Sequence, residues 1–407
     1  MARQRALIVG GSVGGLFAAH LLRAHGWEVA VFERSGGALA DRGASIGTRD
    51  ELFQILRRIG IALDPSAGVS VSARICLDRR GKIIGERPIA SINSAWDRVY
   101  RPLRDAFPDH LYRAATRVER IEQDGDSVTA ILADGARQAG ALLVAADGIH
   151  STIRAQLAPK IQPCYAGYVA WRGVIEESEM TPEEHALLFG RMSFCLPESE
   201  LLLALGMPGR GADTRLGRRR YYWIWFRPAD EARALPALCT DATGRCHGSS
   251  IPPPLVRPEV IRALREAAEA MLAPPLAAII RRTPLPYPHG IFDVETACMT
   301  FGRAVLLGDS AFVARPHVGA GITKAALDAQ ELAAALAEEA DIAAALARYD
   351  RTRRTFGSAL VARARHLGAY LDTEAQQRGA VSRRPETVLA EYGTAGTIGQ
   401  PMPKAAG

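Results

Sequence analysis

The 407-residue chain lacks any apolar run of the roughly 18 residues needed to span a bilayer, which argues against an integral membrane protein. An apolar strand pattern begins by about residue 5, so no signal peptide is expected. The six cysteines include no Cys-x-x-Cys pair, and reduced thiols in a cytoplasmic protein are the expectation. No metal is expected; a site at Cys239, Cys246 and His247 is the weaker alternative.

Strong charge of one sign is also missing. The net charge is +6, and it comes from scattered arginines rather than from a lysine-rich tail. The densest basic run, Arg215 with residues 218–220, is interpreted as a solvated turn before a strand, so no nucleic-acid partner is expected. An excess of arginine suits an anionic cofactor and an acidic or phenolate-like substrate.

What the chain does contain, at its start, is a strand–turn–helix–strand pattern. Residues 6–9 are apolar, a glycine-rich turn covers 10–15, and residues 16–25 show helical spacing. A second apolar strand, 28–32, ends at Glu33, about 20 positions after the glycines, as the dinucleotide-binding fingerprint requires. A strand–turn–helix that binds no nucleotide is the alternative.

Each part of the glycine-rich turn has its own role in this interpretation. Gly10 permits the tight turn, Gly15 lets the helix lie close to the sheet, and amides of the first helical turn face a pyrophosphate. Ser12 stands where the middle glycine is expected and is small enough to keep the backbone near phosphate. Glu33 accepts hydrogen bonds from ribose hydroxyls. The candidate cofactor-binding residues of this unit are Gly10, Ser12, Val13, Gly14, Gly15, Glu33 and Arg34.

A second glycine-rich stretch, 42–47, contains Arg42, a further candidate cofactor residue. NAD-dependent dehydrogenases usually continue into more β-α-β units, and this chain does not. The pattern therefore favours FAD, whose ribityl–isoalloxazine arm needs additional loops.

The middle of the chain predicts a small meander followed by a larger sheet. Strands are predicted at 117–121, 127–132 and 142–146, the last ending in Asp147-Gly148, where Asp147 is a candidate cofactor ligand. From residue 165 the strands alternate in hydrophobicity and predict a mostly antiparallel sheet in a second domain; they cover 165–174, 191–196, 201–205 and 221–226.

The last of these strands is aromatic on both faces. Tyr221, Trp223 and Trp225 share one face, and residues 222, 224 and 226 share the other. One face is expected to line a substrate cavity, with plain core as the alternative. The candidate pocket residues are Tyr168, Trp171, Tyr221, Trp223, Trp225 and Pro316.

A buried strand that contains residues 305–307 then ends in Gly308-Asp309, where Asp309 is expected to bind a ribityl hydroxyl. Glycines at 319 and 321 let the backbone approach a ring system, and the helix that follows stabilises negative charge on a reduced flavin. The candidate flavin-facing residues are Gly319, Ala320, Gly321 and Ile322.

These patterns predict an α/β fold, with a Rossmann-like FAD-binding domain, a mixed or antiparallel-sheet substrate domain and C-terminal helices. The FAD-binding domain is expected at 1–160 and, with the long helices, at 291–375. The substrate domain is expected at 161–290, and a loosely packed tail at 376–407.

Three motifs, namely the glycine-rich turn with Glu33, Asp147-Gly148 and Gly308-Asp309, resemble those of the class A FAD-dependent aromatic monooxygenases, the para-hydroxybenzoate hydroxylase type. Stretches at 10–12, 225–231, 249–253 and 311–317 resemble the 2,6-dihydroxypyridine 3-hydroxylase branch. Phe312 and Thr323 depart from the broader family pattern, which often has His and Asn at these positions, so the substrate cannot be transferred from ordinary phenol hydroxylases.

The resemblance implies a single-component monooxygenase that hydroxylates an electron-rich N-heteroaromatic, hydroxypyridine-like or phenolic ring. NADH or NADPH would bind transiently and reduce FAD, and O₂ would form a flavin C4a-hydroperoxide that the ring attacks. His317 is the first candidate for deprotonating the ring hydroxyl and His289 the second; a purely structural role is the alternative for each. A homodimer is an open expectation.

Three other functions stay open at this point. One is a flavin reductase or dehydrogenase that inserts no oxygen, and another is a non-catalytic FAD- or nucleotide-binding regulator. The third is a flavin-dependent halogenase, but Arg227 breaks the Trp-x-Trp-x-Ile-Pro pattern of those enzymes.

Overall fold

The structure is a computed structural model that describes residues 4–37, 39, 45–47, 50–371 and 384–393. It contains eighteen strands in those residues, and their bounds are β1 Arg5–Val9, β2 Glu28–Phe32, β3 Ser45–Gly47, β4 Val69–Leu77, β5 Ile83–Ala95, β6 Tyr112–Arg113, β7 Val118–Gln123, β8 Val128–Leu132, β9 Arg137–Gly140, β10 Leu142–Ala145, β11 Cys164–Glu176, β12 Arg191–Cys195, β13 Leu201–Met207, β14 Arg220–Pro228, β15 Tyr287–Glu295, β16 Thr300–Phe301, β17 Ala304–Leu306 and β18 Phe312–Val313.

The α-helices of the same residues are α1 Val13–Ala24, α2 Asp50–Arg58, α3 Asp97–Asp105, α4 Thr152–Leu157, α5 Pro182–Glu184, α6 Ala234–Leu238, α7 Pro258–Met271, α8 Pro274–Arg282, α9 Gly321–Glu338, α10 Ile342–Gly368 and α11 Pro385–Glu391. None of the described helices is long and apolar enough to cross a membrane.

A six-stranded sheet carries the nucleotide-binding pattern. Its order is β16-β17-β10-β1-β2-β6, and all neighbours are parallel except β16 and β17. Because the carboxyl ends of parallel strands meet at one edge, the turns after β1, β10 and β17 lie side by side. The three motifs that are more than 100 residues apart in sequence therefore converge, and the predicted Rossmann-like unit is confirmed.

A nine-stranded sheet forms the second layer, in the order β18-β15-β11-β14-β13-β12-β4-β5-β3. Its pairs are antiparallel except for β12 with β4. The four strands predicted from residue 165 onward are confirmed. The sheet is not confined to 161–290, however, because β3, β4 and β5 come from residues 45–95, within the segment expected to form the first part of the FAD-binding domain.

The central strands of the nine-stranded sheet, β13 and β14, are buried on both faces. On one face Tyr221, Trp223 and Trp225 pack with Trp171 against the apolar sides of α7 and α8, and the Trp223 indole N–H donates to Thr283. The opposite face carries the side chains of Tyr168, Ala170, Tyr222, Ile224 and Phe226.

The last described helix, α11, covers part of this opposite face. Val388, Leu389 and Tyr392 are buried there. The expected loose packing of 376–407 therefore does not hold for residues 384–393, because their apolar side chains find a partner in the sheet. The rest of that tail lies outside the described residues.

Candidate functional site

The glycine-rich turn between β1 and α1 has no room for side chains at two positions. Gly10 adopts a φ of +105°, and a Cβ there would lie 2.3 Å from the Ala146 carbonyl oxygen. A Cβ on Gly15 would lie 1.9 Å from the carbonyl oxygen of Gly10. The turn and the helix are therefore pressed against the edge of β10, which agrees with the roles predicted for both glycines.

The N-terminus of α1 is the anion-facing end of this unit. Ser12 occupies the N-cap with an extended backbone, and its hydroxyl makes no capping hydrogen bond. The first amides of a helix, here those of Val13, Gly14 and Gly15, have no intrahelical acceptor. They and the free Ser12 hydroxyl are the donors that a pyrophosphate needs.

Glu33 is fixed by the backbone around it. Its carboxylate accepts a hydrogen bond from the Gly11 N–H at 2.8 Å and from the Ser35 N–H at 2.7 Å. Each oxygen keeps a second lone pair that is available to a hydroxyl. Glu33 thus has the position and the capacity to bind a ribose.

A cavity of about 250 Å³ opens at this edge of the sheet. Its lining includes Gly10, Ser12, Glu33, Arg34, Asp147 and His150. Asp147 Oδ2 accepts the N–H groups of Thr152 and Ile153, while its buried Oδ1 has no hydrogen-bond partner among the described residues. Burial raises the pKa of this carboxyl above its usual value. An orphaned acceptor beside a phosphate-binding turn fits the adenosine half of FAD.

Arg154 connects two of the three motifs. It follows Ser151, which accepts a hydrogen bond from the Arg154 N–H and so caps α4. The guanidinium donates to the carbonyl oxygen of Ser310 at 3.0 Å and to that of Ile149. The loop after β10 is thereby tied to the turn after β17.

The Gly308-Asp309 turn is held by one buried ion pair and by a buried lysine. Asp328 of α9 accepts the Gly308 N–H at 3.1 Å and pairs with Arg353 of α10 at 2.7 Å. Lys324 is buried; its ammonium donates to the Phe312 carbonyl at 2.7 Å and lies 3.2 Å from the Asp309 carboxylate. The Asp309 side chain is 55% exposed, so it remains accessible to a ligand hydroxyl.

A second cavity, of about 490 Å³, lies between the loop before α9 and the nine-stranded sheet. The predicted residues in its lining are Asp309, Pro316, Gly319, Ala320, Gly321, Ile322 and His289. His150 lines both cavities, so the two are adjacent.

The sheet side of the second cavity presents Arg172 and His289. The Arg172 Nε and the His289 Nδ1 are buried and lack hydrogen-bond partners among the described residues. Burial, with a smaller effect of the nearby Arg172 charge, lowers the pKa of His289 to about 3, so this imidazole is neutral at pH 7. Both side chains thus offer unsatisfied polar atoms to a ligand.

The charges around this cavity do not cancel. Lys324 is paired with Asp309, and Arg315 is paired with Asp293 at 2.9 Å. Arg172 forms no ion pair with any residue that the structure describes. Among the described residues, the cavity therefore carries one uncompensated positive charge, at Arg172.

His317 lies behind the loop rather than in the cavity lining. Its Nε2 is 2.6 Å from the Tyr168 hydroxyl and its Nδ1 is 2.6 Å from the Tyr392 hydroxyl. Burial, together with Arg315, lowers the pKa of His317 to about 3. A neutral imidazole with both nitrogens engaged is well placed to hold the loop and poorly placed to accept a proton from a ligand.

Other predicted residues lie elsewhere. Trp171, Tyr221, Trp223 and Trp225 are in the core against α7 and α8 and do not line either cavity; this corrects the expected choice of face. Tyr168 is on the cavity-side face but contacts His317 instead of the cavity. Arg42 lies outside the described residues.

The residues that sequence reasoning missed are Arg172, Lys324 and Tyr392. Arg172 is four positions after Tyr168 on β11, so period-2 alternation places both on one face and was a usable signal. Lys324 and Tyr392 carried no such signal, because their roles depend on partners that are distant in sequence.

Known proteins resemble this chain over nearly its whole length. Models described as FAD binding domain-like and FAD binding domain match residues 165–293 and 248–364. The 2,6-dihydroxypyridine 3-monooxygenase of Paenarthrobacter nicotinovorans is 28% identical over 367 residues, which cover 90% of this chain and 91% of that protein. Aurachin C monooxygenase/isomerase of Stigmatella aurantiaca is 31% identical over 375 residues, with 89% and 88% covered.

A solved structure agrees with these sequence relatives. The 2,6-dihydroxypyridine-3-hydroxylase from Arthrobacter nicotinovorans matches with a TM-score of 0.89 at 27% identity and covers 98% of this chain and 99% of that one. The glycine turn, Glu33, the orphaned Asp147 oxygen and Asp309 fit FAD as the cofactor. With this site and these relatives, the chain belongs to the class A FAD-dependent aromatic monooxygenases.

Proposed function

We propose that this monooxygenase hydroxylates a small ring, hydroxypyridine-like or phenolic, that binds in the second cavity as a monoanion. The observation that carries the proposal is the Arg172 guanidinium, which has no ion-pair partner among the described residues, beside the neutral His289. A partly buried cation without a partner is costly, and an anionic ligand would remove that cost. Similarity to a 2,6-dihydroxypyridine 3-monooxygenase supports an N-heteroaromatic ring over a plain phenol.

Bound FAD, reduced by NADH or NADPH, supplies the activation of O₂. Arg172 favours the ionised form of a ring hydroxyl, because an adjacent positive charge lowers the pKa of an acid. An ionised ring is more electron-rich and therefore more reactive toward an electrophilic oxygen. Arg172 is thus proposed as the group that holds the substrate in its reactive charge state.

His289 is proposed as an orienting hydrogen-bond partner rather than a base. With its pKa near 3, the imidazole would hold almost no proton at neutral pH. The neutral imidazole can still form one hydrogen bond with a ring nitrogen or oxygen of the substrate. Apolar side chains in the same lining, those of Ile291, Phe292, Val313, Val318 and Ile322, would exclude water from the reacting ring.

A substrate panel tests the reaction. Hydroxypyridines and hydroxybenzoates are offered to the FAD-loaded enzyme with NADH or NADPH, and both reductant consumption and ¹⁸O transfer from ¹⁸O₂ are followed. We expect a hydroxypyridine to accelerate reductant oxidation and to gain ¹⁸O. If no ring gains ¹⁸O while reductant is still consumed, the protein acts as a reductase and the proposed substrate class is wrong.

Arg172→Met tests the anion site. Loss of a charge-assisted contact worth about 1.5–3 kcal/mol would weaken substrate binding about 10- to 150-fold. The measurement is the dissociation constant from flavin absorbance changes, with KM as a second readout. Arg281→Met is the matched control, because Arg281 is exposed and paired with Glu269 on α7. Equal affinity in the Arg172 variant and the parent would contradict the role of Arg172.

A further inference from the structure

A short segment near the end of the sequence packs against the loop that is predicted to face the flavin. Residues 384–393, called here the C-terminal segment, contain α11 and reach the loop at 316–319. The Tyr392 hydroxyl is 2.6 Å from His317 Nδ1, and the Gly393 N–H donates to the His317 carbonyl at 2.9 Å. The C-terminal segment therefore makes hydrogen bonds to both the side chain and the backbone of His317.

The segment is anchored on several sides. The Arg74 guanidinium of β4 donates to the Leu389 carbonyl at 2.8 Å. Arg363 and His366 of α10 lie 3.5 and 3.4 Å from the Glu391 carboxylate. The site on the sheet is shaped to receive the segment: a Cβ on Gly85 would lie 3.1 Å from both Leu389 and Pro385.

The loop is held between the segment and the cavity. Pro316, Val318 and Gly319 line the second cavity, while the His317 side chain between them points to Tyr168 and Tyr392. The Arg315 guanidinium, which can donate hydrogen bonds but not accept them, lies 5.6 Å from the centroid of the Tyr168 ring. The positive charge of Arg315 favours Tyr168 as the donor to His317 Nε2. A neutral imidazole has one acceptor and one donor nitrogen, so the Nδ1–H of His317 then donates to the Tyr392 hydroxyl.

We propose that Tyr392 is a positioning residue for the flavin site, acting through His317, and that docking of the C-terminal segment and binding of FAD stabilise each other. FAD orders the loop on the cavity side, and the segment orders it on the opposite side. Each event reduces the conformational freedom that the other must remove, so the coupling is reciprocal. The inference rests on FAD binding and does not depend on which ring is hydroxylated.

Two measurements on the full-length chain test this coupling. The first is the FAD dissociation constant of Tyr392→Phe, from the recovery of flavin fluorescence on release. We expect about tenfold weaker binding, because a buried hydrogen-bond partner of His317 is lost. Tyr165→Phe is the matched control: its hydroxyl donates to the Ala229 carbonyl, neither Tyr165 nor Ala229 lines either cavity, and FAD affinity should stay within about twofold.

The second measurement is hydrogen exchange at the Gly393 amide, which bonds directly to the loop, in the FAD-free and FAD-loaded forms of the parent. We expect FAD to slow this exchange at least about tenfold, and Tyr392→Phe to reduce that protection. Thermal unfolding of the FAD-free variants shows whether the fold is retained. The proposal is overturned if Tyr392→Phe lowers FAD-free stability but leaves FAD affinity unchanged, or if Gly393 exchanges equally fast in both forms.

Discussion

Removal of the Arg353 guanidinium tests how the Gly308-Asp309 turn is held. Arg353→Met leaves the buried Asp328 carboxylate with the Gly308 N–H as its remaining hydrogen-bond donor among the described residues. Two unit charges about 4 Å apart at an effective dielectric constant of about 20 attract by about 4 kcal/mol. Removing one partner of a buried pair costs about 3–5 kcal/mol, because the other charge stays uncompensated. We therefore expect the free energy of unfolding to fall by about 3–5 kcal/mol.

Urea unfolding of the FAD-free protein measures this loss, and a second variant separates charge from packing. Asp328→Asn with Arg353→Met keeps an acceptor for the Gly308 N–H and removes both charges. The double variant should recover at least half of the stability lost in the single one. An uncompensated charge on Asp328 is refuted as the cause if the single variant loses less than about 1 kcal/mol of unfolding free energy. It is also refuted if the double variant is no more stable than the single one, because the loss then does not come from that charge.

Two further predictions concern the turn and the loop. Gly15→Ala places a Cβ 1.9 Å from the Gly10 carbonyl oxygen. We therefore expect the free energy of unfolding to fall by about 1–3 kcal/mol and FAD, followed by its fluorescence, to bind much more weakly. Gly125→Ala is the control: its Cβ would lie in open space, so neither quantity should change. His317, neutral in the fold with a pKa of about 3, takes up a proton below about pH 6.5 only when unfolded. Stability must therefore fall as pH drops, by about 2 kcal/mol from pH 7 to 5, and His317→Gln should remove that part of the slope; an unchanged slope would show that another group titrates.

The part of the fold that depends on local signals was predictable. The turn at Gly10, the acidic residue Glu33 and the apolar strands around them identify the first β-α-β unit from adjacent residues. Alternation identified β11, β12, β13 and β14 for the same reason. The motif at Gly308-Asp309 was also found, because a buried strand ending in Gly-Asp is visible in sequence.

Choices that depend on distant partners were not predictable in this way. β4 pairs with β12, which is more than 100 residues later in the sequence, and no local sequence pattern predicts that pairing. β14 is apolar on both faces, so periodicity could not decide that the Trp223 face meets α7 and α8 while the Phe226 face meets the cavity-side loop. Tyr392 was missed because its partner, His317, is 75 residues earlier.

The order in which the strands enter the two large sheets limits how the chain can be divided. The chain starts in the six-stranded sheet, supplies β3, β4 and β5 to the nine-stranded sheet, and returns for β6 and β10 before it leaves again for β11. No single cut separates one sheet from the other. A cut at any peptide bond between β3 and β16 would leave each fragment without strands of both sheets, and unfolding should proceed as one cooperative event rather than layer by layer.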